Sequence, residues 1–88
     1  MACTLTRKDI SRFTLAVVQA IEGDHNIDED TTFDIIGTDG IARRRYWNPI
    51  KAFITAHGCK LSGSPALLES DDVTSVGDIV NLVFKRIS

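Results

Sequence analysis

The sequence predicts an all-α domain, a bundle of three main helices and one short one, and three observations carry that expectation. Apolar residues recur at three- and four-residue spacing within residues 6–23, 50–58 and 75–87. Two of these segments open on the reciprocal Ser/Thr-to-acid pattern that caps a helix start. Nowhere does a run of alternating apolar and polar residues read as a strand, and there is no internal repeat or low-complexity tract.

The first helix is expected over residues 6–23. Thr6 and Asp9 form a capping box, and Leu5 and Ile10 stand where a hydrophobic staple needs them. Ile10, Phe13, Val17, Ala20 and Ile21 supply the apolar face, and Gly23 is a natural stop. Residues 24–37 are too acidic and aperiodic for a helix; they read as a long loop anchored by Ile27, Phe33, Ile35 and Ile36. Residues 41–58 read either as one helix kinked at Pro49 or as a turn followed by a helix capped by Asn48, with Pro49 at its first position. Both readings give an apolar stripe of Ile50, Phe53 and Ile54 and put Ile41, Tyr46 and Trp47 near the core. Ser64 and Pro65 open one or two helical turns. The last helix follows Ser75, with Asp78 completing a second capping box and Val76, Ile79, Val80, Val83 and Ile87 facing inward. Lys85 and Arg86 suit the negative end of its dipole.

Eighty-eight residues, 43 % hydrophobic and 25 % charged, predict one globular domain spanning 1–88 rather than a disordered chain. No apolar run reaches the length of a membrane span, and the N-terminus lacks the apolar core of a secretion signal. Two cysteines, Cys3 and Cys59, are too few for a disulfide scaffold, so free thiols and a cytoplasmic location are expected.

The net charge of −2 is unevenly placed. Residues 24–39 hold six acids and no Lys or Arg, whereas residues 40–60 hold five bases and no acid. A duplex-DNA binder usually has a net basic balance, which is missing here. Arg43, Arg44 and Arg45 fan across about 200° of a helix, so they cannot all meet one ligand, and one is expected to lay its stem along the core edge. The run is either a solvated face neutralising the acidic loop or a docking patch for an acidic protein surface, with nucleic acid as a lesser alternative. Trp47 is either core or, beside the arginines, an interface anchor; it is taken here as the anchor.

Other chemistry is poorly supported. Asp24, Asn26, Asp28 and Asp30 alternate as calcium ligands do, but Glu29 stands where the loop needs Gly and Ile35 where it needs a bidentate Glu. His25, His57, Cys3 and Cys59 lack zinc spacing, and the neighbouring His57 and Cys59 have no third member for nucleophilic catalysis. No metal and no enzyme activity are expected.

The segments "TTFDIIGTDGI" and "VTSVGDIVNLV", in this order and within this pattern of helices, resemble the acyl carrier protein family over roughly residues 6–87. The resemblance implies a helical bundle that docks onto partner enzymes at the start of its second helix. It also implies a phosphopantetheine arm on the serine of a D-S-L motif. The aligned residue here is Gly40, which has no hydroxyl, and no serine lies between Ser11 and Ser62. The chain is therefore expected to carry no cofactor. The family's second helix is usually acidic, and here it carries Arg43, Arg44 and Arg45 instead. The expected function is non-catalytic protein docking through Arg43, Arg44, Arg45 and Trp47. A nucleic-acid-binding helix–turn–helix across residues 50–70 and a carrier modified at Ser62 or Ser64 are the alternatives.

Overall fold

In the computed structural model, which describes residues 3–88, the chain is all-α, with no β-strand among the described residues. Its α-helices are α1 (Arg7–Glu22), α2 (Phe33–Ile36), α3 (Gly40–Arg43), α4 (Trp47–Ala56) and α5 (Val76–Phe84); 3-10 turns occupy Arg44–Tyr46 and Pro65–Glu69. No helix is long and apolar enough to cross a membrane.

Both expected capping boxes form. The Thr6 hydroxyl accepts from the Asp9 N–H while the Asp9 carboxylate accepts from the Thr6 N–H, and Ser75 and Asp78 repeat the arrangement at α5. These bonds hold the Asp9 and Asp78 carboxyls below the usual carboxylate range, chiefly through the backbone N–H groups of Thr6 and Thr74.

Residues 40–56 run as one composite rod: α3, a 3-10 turn, then α4. Pro49 explains the change of pitch. It is the third residue of α4, without an N–H to offer the Arg45 carbonyl, and its ring crowds that carbonyl, so the backbone tightens just before it. Asn48 is thus inside α4 rather than its cap.

α1 packs mainly against α5 and next against α4, while the Pro65–Glu69 turn lies across α3 and the following 3-10 turn. The core takes Ile10, Val17 and Val18 from α1, Trp47, Ile50 and Ile54 from α4, and Val76, Ile79, Val80 and Val83 from α5. The α1 stripe is rotated from the expected one. Thr14 and Val18 are buried, Phe13 and Ile21 sit at the core edge, and Ala20 is exposed. Phe53 is 41 % exposed and stacks on Phe13 with ring centroids 5.2 Å apart.

The long loop is fastened at both ends of α5's start. Thr31–Phe33 backbone groups exchange hydrogen bonds with residues 74–76: the Phe33 N–H donates to the Thr74 carbonyl (2.9 Å) and the Val76 N–H to the Thr31 carbonyl (3.1 Å). Two residues earlier, Glu29 is held by the Arg7 guanidinium at 2.7 and 3.3 Å and by the Ser11 hydroxyl, which together pull its carboxyl below the usual range. Its carbonyl accepts from the Gly77 N–H (2.9 Å), and a Cβ on Gly77 would come within 3.1 Å of that oxygen, so a side chain there would crowd the contact. Ile27 and Phe33 are buried as expected, and Ile36 packs against the core edge. Ile35, expected to be an anchor, is 79 % exposed on α2.

One expectation is overturned outright. Cys3 and Cys59 are not free thiols but form a disulfide between segments 56 residues apart in sequence. The expectation of a cytoplasmic location rested on reduced thiols, and this bond removes that footing.

Candidate functional site

The arginine run is divided by geometry. Asp39 caps α3, its carboxylate accepting from the Ala42 N–H at 2.8 Å, and this fixes the phase of the turns that follow. With that phase Arg43 points inward. It is 8 % exposed, its Nε donates to the Leu68 carbonyl (2.7 Å), a terminal nitrogen reaches the Ser70 carbonyl (3.4 Å), and its guanidinium lies 5.1 Å from the centre of the Phe33 ring. Arg43 is therefore the fastener that binds the Pro65–Glu69 turn to the second helical rod. It is not available as a contact residue.

Arg45 is exposed but committed. It donates to Glu22 Oε1 at 2.6 Å and to the Ala42 carbonyl at 2.8 Å. The Tyr46 hydroxyl donates to the same Glu22 oxygen at 2.7 Å, so the end of α1 is tied to the second rod by two donors on one carboxylate. Burial, and secondarily this carboxylate, push the Tyr46 hydroxyl up to about 12 from its ordinary 10.0. Because the folded value is raised, the neutral tyrosine contributes stability that is complete below pH 10.0 and is lost as pH rises through about 12. Tyr46 is the one tyrosine, so its tyrosinate absorbance should titrate near 12 in the folded chain and near 10.0 in urea.

Arg44 alone of the three is exposed and free of ion pairs and side-chain hydrogen bonds among the described residues. The ion pairs among the described residues are Arg7–Glu29 and Arg45–Glu22, so no arginine of the run pairs directly with an acid of residues 24–39. Replacing Arg43 by Ala should cost about 1.5–3 kcal/mol, because it strips charged donors from buried carbonyls. The same change at Arg44 should stay within about 0.5 kcal/mol. Urea denaturation followed by circular dichroism separates the two.

Trp47 does not serve as a surface anchor. It is 1 % exposed and among the largest fully buried side chains. The most exposed large apolar groups are instead Ile35 and Ile41, the latter 72 % exposed and not in the core as expected. Ile41, Arg44 and Arg45 share a face of the rod at three- and four-residue spacing. Ile35 shares a small hollow with Glu22, the residue that Arg45 holds. The sequence did contain this signal. Arg43, Tyr46, Trp47, Ile50 and Ile54 form one inward stripe, and Ile41, two residues before Arg43, falls about 200° away from it.

Gly40 opens α3 at the foot of this face. A Cβ built there would lie 3.3 Å from the Cα, Cβ and carbonyl oxygen of Glu69, so the Pro65–Glu69 turn packs closely against this position. Ser62 and Ser64 are exposed in the preceding loop. Among the described residues no three His, Cys, Asp or Glu side chains come together as a metal site needs. Cys59, bonded to Cys3, offers no thiolate to His57, whose Nδ1 lies 2.7 Å from the Phe53 carbonyl. No protein-family model, curated protein or solved structure matches this chain.

Proposed function

We propose that this chain is an armless relative of the acyl carrier proteins, a non-catalytic domain that works by docking onto an acidic protein surface. The face that docks is the head of the second rod, with Ile41 and Arg44 at its centre and Ile35 and Arg45 beside them. Arg43 and Trp47 shape that face from within. The observation that carries this reading is Gly40. At the position where the resemblance calls for a modified serine there is no oxygen to esterify, and the Glu69 backbone stands 3.3 Å from where a side chain would begin. The apolar and cationic groups around it remain turned outward. Two exposed isoleucines beside an unpaired arginine supply what a partner with a carboxylate and an apolar ridge requires.

Incubation of the full chain with a phosphopantetheinyl transferase and coenzyme A, read by intact mass, tests the armless part. The mass should stay unchanged. A gain of one phosphopantetheine, at Ser62, Ser64 or elsewhere, would make the chain a true carrier and overturn it. Titration with random-sequence duplex DNA at low salt tests the choice of partner. No shift is expected, whereas a salt-dependent shift centred on Arg44 would assign the face to nucleic acid.

A further inference from the structure

Cys3 and Cys59 are the only cysteines in the chain, and they are bonded to each other. The two ends of this bond are held very differently. Cys59 is 4 % exposed, its N–H donates to the Ile54 carbonyl at 3.1 Å, and it leads into a short antiparallel pairing. In that pairing Lys60 and Ser88 exchange two backbone hydrogen bonds and the Ser62 N–H donates to the Arg86 carbonyl. Cys59 thus stays in place whether or not its sulfur is bonded. Residues 3–5 have no such support. Among the described residues no backbone hydrogen bond ties them to another element. They are held by the disulfide and by the packing of Cys3 and Leu5 against the core edge.

The two cysteines also differ in access. Cys3 lines an open groove with Leu5, Lys60, Phe84 and Ile87, while Cys59 lies behind it in the core cluster. Cys3 is the less buried partner and the one that lines the groove, so it is the end open to an incoming thiolate, and Lys60 on the same groove adds a positive charge that favours an anion.

We infer that the Cys3–Cys59 bond is a redox latch, which a dithiol reductant opens at Cys3 to release residues 3–5 while the helical core stays folded. The reductant thiolate attacks Cys3 Sγ, the Cys3–Cys59 bond breaks, and Cys59 leaves as a thiolate that takes up a proton. The second thiol of the reductant then attacks its own sulfur in the mixed disulfide. Cys3 leaves in turn as a thiolate and is protonated. The reductant ends as a disulfide, and two electrons and two protons have passed to the protein. Release of the strap removes Leu5 from the groove and leaves Phe84, already 40 % exposed, and Ile87 facing solvent.

The test uses the full, oxidised chain without denaturant. Glutathione in place of a dithiol should trap the mixed disulfide, and after quenching with an alkylating agent peptide mapping should find the adduct on Cys3 with Cys59 alkylated. With dithiothreitol, heteronuclear NOE values of Thr4 and Leu5 should collapse, while Trp47 fluorescence and the amide spectrum of α1, α4 and α5 stay unchanged. A Cys3→Ser variant should show the same mobile strap and the same ordered core without any reductant. The latch is refuted by an adduct chiefly on Cys59, by reduction only in denaturant, by an ordered strap after reduction, or by loss of the core spectrum with it.

Discussion

Reduction of the Cys3–Cys59 bond should lower the free energy of unfolding by about 4 kcal/mol. The size follows from the span of the link. With its ends 56 positions apart in sequence, the bond removes a large share of the unfolded chain's freedom, and chain entropy converts that to the stated figure. A domain of 88 residues has little to spare, since stabilities of this class run at roughly 0.05–0.15 kcal/mol per residue. Urea denaturation of the oxidised chain, the reduced chain and a Cys3→Ser, Cys59→Ser double variant measures it directly. The last two should unfold at similar, lower midpoints. A midpoint indifferent to reduction would mean that the unfolded chain gains nothing from losing the link, and the bond would then be irrelevant to stability.

Trp47→Ala should cost about 3–5 kcal/mol, the loss associated with emptying a large aromatic site in a packed core. Trp47 is 1 % exposed at the start of α4, where the second rod meets the centre of the bundle. A small core depends heavily on such a residue, because few other side chains fill comparable volume. The expected result is a large drop in the urea midpoint followed by circular dichroism. An exposed anchor would behave otherwise: its removal would leave stability within about 0.5 kcal/mol and affect only association. The measurement therefore separates the core role from the contact role first assigned to this residue.

The features legible in the sequence were those set by neighbours in the chain. Thr6 with Asp9 and Ser75 with Asp78 cap their helices through residues three apart, so the pattern alone carried the geometry. The α5 stripe was likewise local. What escaped was set by distant partners. Arg43 turns inward because the Leu68 and Ser70 carbonyls, 25 and 27 residues away, await a donor there. That one arginine of three should line the core edge followed from helical fanning, but which one did not. The disulfide joins residues brought together only by the complete fold. Ile41 lies outside the core because it falls off the inward stripe, and Trp47 lies in the core although its place beside three arginines suggests an interface anchor. The composite rod keeps one continuous inward stripe through Arg43, Tyr46, Trp47, Ile50 and Ile54.

The three arginines cannot be tested as a block. Reversing Arg43, Arg44 and Arg45 together would cut the Leu68 and Ser70 contacts and place a glutamate against Glu22, so any loss of binding would be confounded with unfolding. Arg44→Glu alone changes the sign of the face and touches no internal bond among the described residues.

The central claim is that a docking face stands where a carrier's arm would be. Isotope-labelled full-length chain titrated with a synthetic Asp- and Glu-rich amphipathic helix tests it most directly. Amide shifts should be confined to Ile35, Ile41, Arg44 and their immediate neighbours, and should be lost in a folded Arg44→Glu variant. Shifts centred on Lys51, Lys60 or the Lys85 and Arg86 end of the chain, or shifts untouched by Arg44→Glu, would contradict the claim.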